Sequence, residues 1–187
     1  LSILKRFYSK IDSLKLEGDW EGLEEFFEDY SKGIFNYQEY IKESLKVDER
    51  FSAIIGDNDI IKKIRSPRLK KYAEDYRNNI LLDRNKDLYN DITEKIEEIL
   101  KDYAYVLENY LVNQIFKDLI PFNKGEDMME SVNVLINTYK LIKEYLKGRI
   151  YKSKERIMAE DVVSVIQAIS KDLEHNKVLN KIINYKA

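Results

Sequence analysis

Two short constellations hold the polar groups that could meet a substrate. Glu108, Asn109 and Asn113 lie in the run 107–122, and Glu174, His175 and Asn176 close a later apolar stretch. Asn109 and Asn113 stand one helical turn apart and share a face. Amides so placed either exchange hydrogen bonds that fix helix register or present a polar patch to a ligand. His175 brings a nitrogen that titrates near neutral pH, the chemistry of a general acid or base. Its plainer use, at the end of a helix, is as a cation satisfied by terminal carbonyls. Fourteen tyrosines invite a reading as aromatic recognition. Tyr103, Tyr110 and Tyr139 fall on core stripes, however, where packing with a satisfied hydroxyl is the simpler use.

Beyond these the chain is poor in reactive groups. It has no cysteine and one histidine, and contains no glycine-rich phosphate loop, no HExxH and no EF-hand loop. Thiolate metal sites and cysteine catalysis are therefore excluded. Glu24 and Glu25, like Glu97 and Glu98, are neighbours in sequence, and consecutive helical residues diverge by about 100°, so neither pair makes a metal box. No Glu-x-x-His spacing occurs, which removes the di-iron carboxylate bundle.

The elements that position these groups are helical. With 187 residues the chain makes one domain, 1–187, and 44% hydrophobic residues can fill a sizeable core. Two prolines and six glycines are few, which argues against sandwiches, barrels and disordered tails. A net charge of −2 speaks against general nucleic-acid binding. No apolar run approaches the ~20 residues that span a bilayer, and the first residues form no signal peptide. The expectation is a soluble, cytoplasmic protein. Residue 1 is Leu rather than Met, and we expect a C-terminal segment of a longer protein.

Charge is uneven. Seven acidic residues and no basic one lie between Glu17 and Asp29, and six basic residues with no acidic one lie between Lys62 and Lys71. Seven Lys or Arg run from Lys140 to Arg156 against Glu144 and Glu155. Such runs are solvated helix faces or, alternatively, docking surfaces for an acidic protein.

Glycines mark helix ends: Gly18, Gly33, Gly56 and Gly148 each follow an amphipathic run, as a left-handed C-terminal residue would. Asn36 with Glu39, and Asn123 with Glu126, have capping-box spacing, and Ser66 precedes a proline at a first helical position. Helices are predicted at 3–16, 19–32, 37–55, 67–82, 86–120, 126–147, 158–174 and 176–184. Trp20, Leu23, Phe26, Phe27 and Tyr30 form one apolar stripe. Ile92, Ile96, Ile99, Tyr103, Val106 and Tyr110 form another; Ala159, Val162, Ile166, Ile169 and Leu173 form a third. After Tyr110 the apolar residues change side, which predicts a helix enclosed by neighbours until Pro121 stops it. The 126–147 helix is also apolar on two faces. The fold is thus all-α, a single-domain bundle of about seven to eight helices, with 105–119 and 126–147 as a long central antiparallel pair.

The run 107–122, LENYLVNQIFKDLIPF, resembles the C-terminal helical region of the flagellin lysine N-methylase (FliB-type) family. Further similarity lies at Tyr139, Ile142, Lys143, Leu146, Lys147 and Gly148, and in 165–176 with Leu179 and Ile182. The resemblance covers 86–187 well and the remainder by position. It implies a bacterial enzyme that methylates lysine amines of flagellin with S-adenosylmethionine as donor. It also implies a cysteine-rich N-terminal part, holding an iron–sulfur cluster, against which this domain packs. Glu108, Asn109, Tyr110, Asn113, His175 and Asn176 carry over as motif residues without assigned roles. The rival reading is a non-catalytic helical module for protein–protein interaction.

Overall fold

The computed structural model describes residues 2–31, 47–82, 86–117, 128–151, 158–175 and 182. Side chains are described for 10–29, 47–82, 89–117, 133–151, 158–173 and 182. Among these residues there is no strand; the fold is an all-α bundle. In chain order the helices are α1 (Ser2–Glu17), α2 (Trp20–Ser31), α3 (Glu49–Ile55), α4 (Asn58–Lys63), α5 (Pro67–Tyr76), α6 (Lys86–Asp102), α7 (Ala104–Lys117), α8 (Met128–Ile150) and α9 (Ala159–His175). A π turn, Arg77–Leu81, continues α5.

Local signals set several ends. Gly18 closes α1 in the left-handed region at φ 67°. The Ser66 hydroxyl accepts from the Leu69 N–H, and Pro67 opens α5. Asp48 accepts from the Phe51 N–H, so α3 starts inside the helix predicted at 37–55, and Asp57 accepts from the Asp59 and Ile60 N–H groups to start α4, a short helix that the sequence pattern did not predict. The caps expected at Asn36 and Asn123, the glycine at 33, the stop at Pro121 and the helix 176–184 apart from Ile182 lie outside the described residues.

α8 is the centre. It packs most extensively on α5 and also against α9, α6, α1 and α7. From Asn137 to Ile150 nearly every residue is buried, and Leu141, Ile142, Tyr145 and Leu146 have no exposure. The two-faced pattern of this helix does report enclosure. Phe51, Ile55, Leu69, Tyr76, Ile96, Val162 and Ile169 complete the core around it. Gly148 is no helix stop: α8 runs past it to Ile150. A Cβ at 148 would collide with the backbone N and Cα of Tyr76, so glycine there permits close crossing of α5 and α8. The Asn79 amide, turned in by the π turn, donates to the Gly148 carbonyl at 3.0 Å.

The same distribution corrects the expected place of 105–119. The chain breaks at Tyr103, and α7 is a separate helix that buries only Leu107 and Tyr110. Val112 is 40% and Phe116 74% exposed. Instead of one enclosed helix that switches its apolar side, two helices each bury one side, and the second side of α7 faces outward. α7 lies at the edge of the bundle, and the larger partner of α8 is α5.

Candidate functional site

Helical spacing of four builds two facing ladders. On α6 stand Tyr89, Thr93, Glu97 and Lys101; on α8 stand Tyr139, Lys143 and Lys147, with Glu144 beside them. All line a cleft of about 690 Å³. A shallower hollow of about 310 Å³ shares Leu100, Ala104 and Tyr139 with it and continues along α7 past Leu107, Glu108, Leu111 and Val112. The two form one trench, charged at one end and apolar at the other.

At the charged end Lys147 donates to Glu144 Oε1 at 2.6 Å and to the Tyr89 hydroxyl at 3.0 Å. The Tyr89 hydroxyl reaches the two Glu144 oxygens at 3.5 and 3.4 Å. The Lys147 ammonium also sits 4.5 Å from the centroid of the Tyr89 ring. Glu144 and Lys147 are buried. Burial works against charge on Lys147, but the Glu144 carboxylate and the Tyr89 oxygen outweigh it, and the ammonium is held above its ordinary range. The Tyr89 hydroxyl is pushed up by burial first and by Glu144 next.

One turn back, Lys143 donates to Glu97 Oε1 at 2.8 Å and lies 5.5 Å from the Tyr139 ring centroid. The hydrogen bond from Lys143 holds Glu97 below the usual carboxylate range, against its modest desolvation. Lys140 turns toward Phe51, 5.8 Å from the ring; burial lowers it, and Asp48 opposes that shift. Arg149 meets Asp161 at 3.8 Å. Lys140, Lys143 and Lys147 are therefore directed into the fold, while Arg149 stays part-exposed beside Asp161.

The candidate residues separate. Glu108 is exposed at the apolar end of the trench. Asn109 and Asn113 are both exposed on the outer face of α7, so they fix no internal register. Tyr110, further round the same helix, is buried. His175 ends α9 with its side chain outside the described residues, as is Asn176. Of the four whose side chains are described, only Glu108 lines the trench. The Tyr89, Glu144 and Lys147 cluster was missed by sequence reading. Its signal was a carboxylate and a lysine amid Leu141, Ile142, Tyr145 and Leu146, where a solvated face has no room.

The trench does not fit the two groups that the resemblance implies. An iron–sulfur cluster needs thiolates, and the chain has none. Among the described residues no group of three His, Asp or Glu is placed to hold a metal ion. A sulfonium donor is a cation, whereas the charged end sets Lys101, Lys143 and Lys147 against Glu97 and Glu144, and both carboxylates already hold lysines. What the cluster can do is tie α6 to α8.

The family model described as FliB lysine N-methylase C-terminal domain matches residues 1–185. No curated protein and no solved structure matches the chain. The match takes in the acidic N-terminal helices as well as the half that carries the motifs, and the chain belongs to the FliB lysine N-methylase C-terminal domain family.

Proposed function

We propose that this domain is the C-terminal part of an enzyme that methylates lysine amines of flagellin in the bacterial cytoplasm, with S-adenosylmethionine as donor. The observation that carries the reading is the family match along nearly the whole chain. In this reading the donor site, together with an iron–sulfur cluster, belongs to a cysteine-rich N-terminal part. The present domain supplies surface for the protein substrate and for that part. A lysine begins near pKa 10.4 and must lose its proton before it attacks a methyl group. The described residues put no free base beside an open cationic site, which supports a role in docking rather than chemistry.

The rival reading, a non-catalytic interaction module, draws support from α7. Tyr105, Asn109, Val112, Asn113 and Phe116 recur at helical spacing on one exposed side. The two readings separate in one experiment. The whole protein that carries this domain is incubated with flagellin and isotopically labelled S-adenosylmethionine, and flagellin lysines are read by mass spectrometry. Labelled methyl-lysine is expected. Unlabelled flagellin would leave the interaction module standing and remove the enzyme.

A further inference from the structure

α2 has an outward face that the fold leaves bare. Trp20 is 65% and Phe27 46% exposed, although both belong to the predicted apolar stripe. Leu23 and Phe26 are half-buried instead. The neighbour on which α2 packs most is α1. At helical spacing Trp20, Glu24 and Phe27 fall within about 60° of one another around the axis. Glu24 thus stands between two exposed rings, one turn from each. Glu21, Glu25 and Asp29 are exposed beside them, and no Lys or Arg occurs from Glu17 to Asp29.

An aromatic face with a carboxylate at its centre is complementary to an alkylammonium group, which the ring quadrupole and the negative charge attract together. Arginine would be drawn by the same forces, whereas an acidic segment or an anionic lipid surface would be repelled. We infer that this face of α2 docks a lysine-rich segment of the protein partner through Trp20, Glu24 and Phe27. The inference rests on the lysine-methylation reading and adds the surface by which the substrate is held.

Trp20 is the chain's one tryptophan, so its emission reports directly on the face. The 187-residue chain is titrated with a lysine-rich peptide free of aromatic residues. A saturable emission change is expected, weakened about tenfold or more when salt is raised to about 0.5 M. An acidic peptide of equal length should give none. The double charge reversal Glu21→Lys and Glu24→Lys keeps the tryptophan and should weaken binding about tenfold with helical circular dichroism retained. No response to the lysine-rich peptide, an equal response to the acidic one, or indifference to charge reversal would each overturn the inference. So would emission that changes with protein concentration alone, since the face would then join two copies. In the whole protein the double reversal should raise KM for flagellin. An unchanged KM removes the docking face alone, while absence of methylation by the unaltered protein removes the reading on which it rests.

Discussion

Gly148 of α8 and Tyr76 of α5 meet backbone to backbone, and a single methyl group at 148 has nowhere to go. The atoms it would strike are backbone, which cannot swing aside as the end of a side chain can. The crossing is reinforced next to the glycine, where the Asn79 amide holds the Gly148 carbonyl and the Tyr76 and Tyr145 rings pack 6.1 Å apart. Gly148→Ala sets two effects against each other. Alanine in a helix interior gains about 1 kcal/mol over glycine, whereas overpacking a tight crossing costs about 1–3 kcal/mol and more against rigid backbone. The collision should win, with a net loss of about 1–3 kcal/mol in denaturant unfolding. A stabilised variant would mean that the two helices cross less closely.

The exposed side of α7 makes the opposite forecast. Phe116→Ala should change stability by no more than about 0.5 kcal/mol, because the ring leaves water hardly at all on folding. Phe51→Ala, at a position with no exposure, should cost about 3–5 kcal/mol. Asn109→Ala with Asn113→Ala should likewise leave the unfolding midpoint in place. If α7 faces the rest of the protein, these neutral changes should still lower methylation by the whole enzyme. Equal losses of stability for Phe116→Ala and Phe51→Ala would contradict the outer placement of α7.

What the sequence reveals and conceals divides along physical lines. Gly18 and the Ser66–Pro67 start were legible because a left-handed residue and a missing N–H are local requirements. The stripe of Val162, Ile166 and Ile169 was legible because α9 has one buried face. Reading failed where a pattern has two physical causes. Apolar residues on both sides mean enclosure in α8 but an uncovered face in α7, and the single chain's sequence does not distinguish a neighbour within the fold from one outside it. Gly148 looks like a stop because the close approach of Tyr76 comes from a segment some seventy residues away. Lys147 and Glu144 looked like surface because charge is usually solvated; only the assembled bundle shows them neutralising one another inside.

That buried pair makes a mutational prediction of its own. Removing one partner leaves an uncompensated charge beside apolar neighbours, so Lys147→Met or Glu144→Leu alone should cost about 3–5 kcal/mol. The double replacement removes both charges and should recover much of the loss, since apolar substitutes for a buried pair are often neutral. Denaturant unfolding of the four proteins completes the cycle. Additive losses in the double variant would show that the two groups do not pair.

Alkaline unfolding follows from the same cluster. Lys147 is held above its ordinary range despite burial, through Glu144 and Tyr89, and burial pushes the Tyr89 hydroxyl up as well. Above about pH 10 the unfolded chain releases these protons while the folded chain keeps them, so the unfolded state binds fewer and stability falls as pH rises. Below that range these two groups contribute no slope. Unfolding midpoints measured from about pH 8 to 11 should show the fall, and Lys147→Met should flatten part of it. A slope unaffected by that substitution would place the alkaline sensitivity elsewhere, with Tyr76 and Tyr145, both pushed up by burial, as the next groups to test.

The 187-residue domain alone should bind no iron and transfer no methyl group. Transfer needs a bound donor, a deprotonated amine and a site that holds the two in line. The chain has no thiolate for a cluster, its trench opposes a cationic donor, and its carboxylates there already hold lysines. Incubating the pure domain with flagellin and labelled S-adenosylmethionine should leave flagellin lysines unmodified by mass spectrometry, while the whole protein labels them. Salt-sensitive association with flagellin is still expected from the acidic α2. Labelled methyl-lysine made by the isolated domain would relocate the chemistry into this bundle. Glu108 at the trench mouth, the amides of Asn109 and Asn113, and His175 would then be the first residues to replace.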